Sequence, residues 1–421
     1  MSAKETPRAA ALRLLEAVLG EGRMLSEETL DGLSPGDRAR AQRLAVDTLR
    51  HLDKADYVLE PYLKKAPPLR AMNVLRLATV ELCSGGEAHG VVNDAVNLVG
   101  ASKRGQVLKG MVNAVLRRVA GEGQERWDTA PGARLPAWLR QPLLASWGTP
   151  AVRAMEARFE EVPSLDLTAK GDAAALAQAL AGDLLPTGTV RLAAGAQVSA
   201  LAGFAEGAFW VQDAAAALPA RLLAAQPGEQ VLDLCAAPGG KTMQLAASGA
   251  QVVALDLSQR RMTRLRDNLA RVGLTAELVV GDALDHQGRY DAILLDAPCS
   301  ATGTLRRHPD LPYVRDAAAV TELVELQARM LDHALGLLGP GGRLVYCTCS
   351  LLPQEGEAQV QAALARHADL RVEAVELAGV PEAWRTEEGG IRTRPDYWPD
   401  QGGMDGFYMA RLTRAGGALP L

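Results

Sequence analysis

Apolar residues recur every three or four positions through residues 8–119, the spacing of one face of an α-helix. Leu12, Leu15 and Val18 show this spacing near the start of the segment. Paired prolines and glycines interrupt the runs at intervals. We therefore predict an all-α helical bundle with short connections over residues 1–125.

The helical pattern weakens in residues 126–212, which open with a linker that contains several prolines. Short apolar runs at 164–169, 190–192 and 209–211 predict strands, and an alanine-rich run at 173–181 predicts a helix. These elements indicate a small α+β adaptor subdomain.

Strands and helices alternate from residue 231 onward. The predicted strands cover residues 231–234, 252–256, 276–280, 290–296 and 343–348, and the main predicted helices cover 259–271 and 317–338. This alternation predicts a Rossmann-like domain over residues 213–421, α/β in class and built on a doubly wound, mainly parallel sheet.

Composition indicates a soluble globular protein, with 48% hydrophobic and 23% charged residues among 421. The first residues lack a signal-peptide pattern, and no apolar run reaches the ~18 residues of a membrane span. We therefore expect a cytoplasmic protein without membrane contact, and a monomer. The five cysteines include no C-x-x-C pair, so neither a disulfide framework nor a metal site is expected.

Charge is distributed unevenly along the chain. Residues 1–120 hold 18 Lys and Arg against 14 Asp and Glu, whereas the remainder holds 27 against 36. A basic front part beside an acidic remainder points weakly to a polyanion bound at the front. The alternative is an ordinary solvated helical surface.

A loop of small residues follows the strand that starts the α/β domain. Val231–Leu234 is apolar around Asp233, and Gly239-Gly240 allows a tight turn before a helix predicted to start at Thr242. Strand, glycine turn and helix N-terminus form the usual cradle for a nucleotide-like ligand. The candidate cofactor-binding residues are Cys235, Ala236, Ala237, Pro238, Gly239, Gly240 and Lys241.

Two nucleotide motifs fail at this loop. A phosphate-binding loop needs glycine at position 235, which is Cys235, and the dinucleotide fingerprint G-x-G-x-x-G is absent. A nucleoside without a pyrophosphate, such as S-adenosylmethionine, is the better candidate. The alternative is a βα turn that binds no ligand.

Aspartates end or follow four successive strands, at positions 233, 256, 282 and 296. The carboxyl ends of parallel strands meet at one edge of the sheet, so several of these side chains should converge. Asp256 lies 23 residues after Asp233, near the ~20-residue offset of a ribose-binding acid. Asp282 suits the adenine edge, and Asp296 suits the amino group of the cofactor or the substrate base. A helix cap or turn is the alternative for each.

Two cysteine motifs also fall at strand ends: Asp296-Ala-Pro-Cys299-Ser and Tyr346-Cys-Thr-Cys349-Ser. A thiol near a helix N-terminus or near a cation such as Lys241 has its thiolate form favoured, which a nucleophile requires. The first motif continues into Arg306, Arg307 and His308, which we predict to hold phosphates. A solvated surface loop is the alternative for these basic residues.

The front part resembles the NusB-like RNA-binding domain over most of residues 6–120. The resemblance is carried by Asn93-Asp-Ala-Val-Asn-Leu98 and by the basic segment that ends Val112-Asn-Ala-Val-Leu-Arg117. It implies RNA binding by this domain. Helices that only support the rest of the chain are the alternative.

Three motifs resemble the Sun/RsmB family of RNA cytosine-C5 methyltransferases. They are D-x-C-A-A-P-G-G-K-T at 233–242, D-A-P-C-S-x-x-G-x-x-R-R-x-P-D at 296–310, and Y-x-T-C-S at 346–350. With the NusB-like front, the resemblance covers nearly the whole chain and implies 16S ribosomal RNA as the substrate and S-adenosylmethionine as the cofactor. The same chemistry on tRNA or 23S rRNA, and a non-catalytic assembly factor on this fold, are the alternatives.

The resemblance also implies roles for the site residues. Cys349 would attack C6 of cytosine, Cys299 would assist proton removal or product release, and Asp296 would bind the base at N3. Because DNA cytosine methyltransferases use a Pro-Cys thiol, Cys299 is the competing nucleophile. The adaptor departs from the family where relatives carry an arginine and this chain has Asp166, which puts one RNA contact in doubt.

Overall fold

The computed structural model describes residues 5–414. Within them the α-helices are α1 (Pro7–Glu21), α2 (Pro35–Arg50), α3 (Leu52–Leu59), α4 (Leu69–Cys83), α5 (Ala88–Gly100), α6 (Lys109–Asp128), α7 (Ala137–Phe159), α8 (Ala173–Leu180), α9 (Leu218–Leu223), α10 (Gly240–Ala247), α11 (Gln259–Val272), α12 (Leu311–Val314), α13 (Ala317–Gly336) and α14 (Glu357–Arg366). The strands are β1 (Leu165–Ala169), β2 (Asp183–Leu184), β3 (Val190–Leu192), β4 (Phe209–Val211), β5 (Gln230–Leu234), β6 (Gln251–Asp256), β7 (Glu277–Val280), β8 (Tyr290–Asp296), β9 (Leu338–Thr348), β10 (Leu370–Val372), β11 (Ile391–Thr393) and β12 (Phe407–Arg414).

The described chain divides into two compact units. The helical unit comprises residues up to Leu144 together with Val152–Glu161 and Arg307–Asp316, and the sheet unit comprises Ala145–Ala151, Val162–Arg306 and the residues from Ala317 onward. The predicted boundaries at 125 and 212 stay a prediction.

The helical unit is a bundle whose helices begin and end at capping residues. Thr6 accepts a hydrogen bond from the Ala9 amide at 3.2 Å and precedes Pro7, a favourable first residue of a helix. Gly22 ends α1 in the left-handed region at φ 66°. Leucines, valines and alanines of α1 to α6 fill the interior, as the helical spacing predicted.

A segment that is distant in sequence belongs to the helical unit. Residues Arg307–Asp316 lie within it, where the Asp310 carboxylate accepts a hydrogen bond from the Leu25 amide at 2.9 Å. Val314 packs on the core that α1 and α2 share. The sequence placed this segment in the α/β domain because nothing in its local pattern indicates a distant partner.

The sheet unit contains the adaptor, a four-stranded sheet in the order β2-β3-β1-β4 with antiparallel pairing throughout. Asp166 on β1 lies in its interior and is 4% exposed. Its carboxylate binds the Arg191 guanidinium through two contacts of 2.7 Å and accepts the Ala214 amide at 3.0 Å. Arg191 also donates to the carbonyls of Gln401 and Gly403. Asp166 is therefore one partner of an internal ion pair.

The large sheet has the order β10-β12-β9-β8-β5-β6-β7, with β11 paired to β12. Pairing is parallel from β7 through β9, and β12 runs antiparallel to β9. Alternate residues face opposite helix layers, so Leu232 and Ile293 enter one core and Val231 and Leu294 enter the other. The predicted fold class is thus confirmed: an all-α bundle, a small α+β adaptor and a doubly wound α/β domain.

Candidate active site

Chain order reverses between β5 and β8, and at such a switch point the carboxyl ends of the strands border a ligand crevice. The loop from β5 to α10 lies at this point. Gly239 has φ +106°, and a Cβ atom there would lie 2.8 Å from Leu265 Cγ, so glycine is required. The helix α10 begins at Gly240, two residues before the predicted start.

Asp233 fixes the two ends of this loop from inside the protein. Its carboxylate is fully buried and accepts a hydrogen bond from the Thr242 hydroxyl at 2.6 Å. Burial raises the pKa of Asp233 to about 7. Asp233 is therefore a structural residue of the loop.

Asp256 and Asp282 end the next two strands. Asp256 is 3% exposed and accepts the amides of Ala237 at 3.1 Å and Ser258 at 2.9 Å, so it holds the β5–α10 loop against the end of β6. Asp282 is exposed and accepts the Leu284 amide at 2.9 Å, as in an Asx turn. Both residues thus make the local backbone contacts that were the alternative to ligand binding. Each carboxylate can still accept further hydrogen bonds from a ligand.

Lys241 and Asp296 form an ion pair across the switch point. The Lys241 ammonium lies 2.8 Å from an Asp296 oxygen and 5.1 Å from the centre of the Phe407 ring. Burial lowers the pKa of Lys241, but the Asp296 carboxylate together with Cys347 and Cys349 raises it by more, so the net pKa of Lys241 is raised. The Cys347 thiol donates to the other Asp296 oxygen at 3.5 Å. Sequence reasoning left Cys347 as a packing residue and missed this contact.

The two candidate thiols lie together at the ends of β8 and β9. Cys299 and Cys349 are each half-buried, and their sulfur atoms are 3.4 Å apart. The hydrogen bond to Cys349 and burial raise the pKa of Cys299, whereas the sequence predicted conditions that favour a thiolate. Burial raises the pKa of Cys235 as well.

The predicted phosphate-binding residues do not share one environment. Arg306 is 2% exposed and belongs to the sheet unit, whereas Arg307 is half-buried, His308 is exposed, and both belong to the helical unit. A phosphate contact needs an accessible guanidinium. The prediction for Arg306 therefore does not fit its burial, and the solvated-loop alternative fits only His308.

Sequence reasoning also missed Glu355. This carboxylate is fully buried and binds the loops of both cysteines. Its setting, Pro353-Gln-Glu-Gly-Glu357, has the composition of an exposed acidic turn. The only signal in the sequence was its place just after the Cys349 motif.

Comparison with known proteins adds to this geometry. Residues 220–413 match the family model described as 16S rRNA methyltransferase RsmB/F, and residues 5–121 match the NusB family. Ribosomal RNA small subunit methyltransferase B of Pseudomonas putida is 37% identical over 97% of this chain and 98% of its own, and that of Klebsiella pneumoniae is 34% identical over 98% and 99%. The chain belongs to the RsmB/F methyltransferase family.

Solved structures share the fold of this chain. A methyltransferase homolog protein from Pyrococcus horikoshii is 27% identical over 65% of this chain and 94% of its own, with a TM-score of 0.57. The crystal structure of PH0851 covers 97% of this chain and 99% of its own at 21% identity and a TM-score of 0.73, which shows the shared fold. The predicted resemblance to Sun/RsmB proteins with a NusB-like domain is confirmed.

The chain is therefore a methyltransferase of the RsmB/F family with a NusB domain. Among residues 5–414, no helix combines the length and apolar character needed to cross a bilayer.

Proposed function

We propose that this RsmB/F protein transfers a methyl group from S-adenosylmethionine to C5 of a cytosine in 16S ribosomal RNA. The observation that carries the proposal is the 3.4 Å approach of the Cys299 and Cys349 thiols beside the Asp296–Lys241 ion pair. The names of the relatives support the substrate. Such a substrate places the protein in the cytoplasm.

The cofactor supplies an electrophilic methyl group when bound. The residues that would hold it are those of the β5–α10 loop, from Cys235 to Lys241, with Asp256 and Asp282 at the neighbouring strand ends. The donor set fits, because carboxylates accept hydrogen bonds from ribose hydroxyls and adenine amino groups. Asp282 is exposed and accepts one amide, and Asp256 accepts two amides and lies 3.6 Å from the Arg261 guanidinium.

Cytosine C5 is too weak a nucleophile to accept a methyl group unaided, and attack on C6 by a thiolate changes that. The Cys349 thiolate forms a bond to C6, and the electron pair of the C5–C6 double bond makes C5 nucleophilic. The proton lost by the Cys349 thiol is balanced by one taken up at N3, and Asp296 accepts a hydrogen bond from the resulting N3–H. The Lys241 cation stabilises the Asp296 carboxylate. C5 would then take the methyl group, and the bond between that group and the cofactor sulfur would break with its electron pair left on a neutral thioether.

Product release breaks the bond between C6 and the Cys349 sulfur. The C5 proton is transferred to water, and the electron pair of the C5–H bond restores the C5–C6 double bond. The C6–S bond breaks with its electron pair on sulfur, and N3 gives up its proton. Cys299, held as a thiol, donates a hydrogen bond to the departing Cys349 thiolate. This assignment makes Cys349 the nucleophile and Cys299 the residue for release.

The test is methyl transfer by the purified chain to unmodified 16S RNA, with 23S RNA and tRNA as parallel substrates. Nucleoside analysis should find 5-methylcytosine in the 16S RNA alone. Methylation of 23S RNA or tRNA instead would overturn the assignment of 16S RNA as the substrate. Binding of 16S RNA without methylation would indicate an assembly factor.

A further inference from the structure

Glu355 lies in the turn after β9, and its carboxylate is fully buried. One oxygen accepts the Ser300 amide at 2.8 Å and the Gln327 side-chain amide at 3.0 Å. The other accepts the hydroxyls of Ser300 and Ser350, each at 2.5 Å. Four donors around an acceptor-only group match an ionised carboxylate.

The two serines directly follow the two candidate thiols. Ser300 follows Cys299, and Ser350 follows Cys349. One carboxylate therefore ties the loop after β8 to the loop after β9, and any movement of one loop away from the other has to break a charge-assisted hydrogen bond.

Further contacts fix Glu355 itself. Its backbone carbonyl accepts the Tyr346 hydroxyl at 2.8 Å and the Thr348 hydroxyl at 3.1 Å, both from β9. Gln327 donates to the Pro298 carbonyl at 2.9 Å in addition to the carboxylate. The group is thus held from the strand that carries Cys349 and from the loop that carries Cys299.

The charge of Glu355 acts on Cys299 as well. The hydrogen bond to Cys349 and burial are the main causes that raise the pKa of Cys299, and the Glu355 carboxylate adds to them. A nearby negative charge disfavours a second anion.

We propose that Glu355 is a positioning residue that ties the loops of Cys299 and Cys349 together and so holds the two thiols at their working separation. Its charge near Cys299 also contributes to keeping that group a thiol, with Cys349 as the nucleophile. This assignment of roles rests on the proposed function. The physical claim about Cys299 does not, because it concerns the thiol in the free protein.

Iodoacetamide alkylation tests the claim without RNA or cofactor. The rate at Cys299 is followed against pH by peptide mass spectrometry in the native chain, in Glu355→Gln, which keeps the shape and removes the charge, and in Glu355→Asp, which keeps the charge. Glu156→Gln is the matched control, since Glu156 is a buried carboxylate of the helical unit bound to Arg140.

Cys299 of the native chain should react only at higher pH than the same cysteine in the urea-unfolded chain. Glu355→Gln should move the inflection to lower pH, Glu355→Asp should restore it, and Glu156→Gln should leave it in place. An unmoved inflection in Glu355→Gln overturns the proposal. If that variant does not fold, an inflection in the native chain no higher than in the unfolded chain overturns it.

Methyl transfer by the folded variants provides the second readout. Glu355→Gln should lower kcat by roughly 100-fold, the scale of a small misplacement of reacting groups, with little change in KM for RNA. A native chain that transfers no methyl group overturns the proposed function while the alkylation result still stands.

Discussion

The sulfur atoms of Cys299 and Cys349 lie 3.4 Å apart, although 50 residues separate them in the chain. They meet because β8 and β9 are parallel neighbours whose carboxyl ends share one edge of the sheet. The pair is therefore a property of the sheet order, and its proximity has a direct chemical consequence.

Mild oxidation should join these two thiols. Diamide takes up the two electrons and two protons released when Cys299 and Cys349 form a disulfide, and proximity makes this pair react first. Peptide mapping of the non-reduced protein should find the Cys299–Cys349 link. The fully buried Cys347 should stay reduced, and a link from Cys347 to either thiol would contradict the geometry.

Stability should depend on pH through Asp233. The pKa of Asp233 is about 7 in the folded chain and about 3.9 in the unfolded chain. Between these values the folded chain keeps a proton on Asp233 that the unfolded chain has lost. The free energy of unfolding therefore falls as pH rises from about 4 through about 7. Asp233→Asn, which cannot ionise, should gain stability relative to the native chain over this range, by an amount on the order of 4 kcal/mol.

Urea denaturation of the native chain and Asp233→Asn at pH 5 and pH 8 tests this prediction, since the gain in stability of the variant should be about 3 kcal/mol larger at pH 8 than at pH 5. If the two chains differ in free energy of unfolding by the same amount at pH 5 and at pH 8, the pKa of Asp233 is not raised in the folded chain.

Removal of one partner of the buried Asp166–Arg191 ion pair should destabilise the chain strongly. Asp166→Ala leaves the Arg191 charge buried without its partner and should cost about 3–5 kcal/mol in the free energy of unfolding. Glu382→Ala, which removes an ion pair to Arg385 whose acid is 85% exposed, should cost less than about 1 kcal/mol. Equal losses in the two variants would mean that Asp166 is accessible to solvent.

The cofactor loop should depend on Gly239. Gly239→Ala places a methyl group 2.8 Å from Leu265 at φ +106°, a strain of about 1–3 kcal/mol. Affinity for S-adenosylhomocysteine, measured by calorimetry, should fall about 10-fold or more. In the control variant Gly336→Ala the added methyl group has no atom within 4 Å, so this variant should bind S-adenosylhomocysteine as the native chain does. If Gly239→Ala binds it with the native affinity, the loop is not part of the cofactor site.

The sequence predicted much of the site because the site follows from strand order. Each motif combines a strand, a turn and a reactive side chain. These motifs predicted that Lys241, Asp296, Cys299 and Cys349 lie at one edge of a parallel sheet. In the structure Lys241 contacts Asp296, and Cys299 contacts Cys349. The helical spacing and the βαβ alternation were sufficient for the fold class.

What the sequence did not predict depends on burial and on contacts between distant segments. Glu355 and Asp166 resemble surface acids in local pattern, and only the folded chain surrounds them with donors. Arg306 has the composition of an RNA-binding loop, but the fold buries it. Cys347 differs from Cys349 by two positions, yet it contacts Asp296 instead of Cys299.

The most direct test of the central claim is the covalent adduct between protein and RNA. Each cysteine variant is incubated with unmodified 16S RNA and S-adenosylmethionine, and a denaturing gel separates adduct from free protein. Cys299→Ala should accumulate an adduct that resists denaturation, because release is impaired, and Cys349→Ala should form none. An adduct in Cys349→Ala and none in Cys299→Ala would contradict the assignment of Cys349 as the nucleophile.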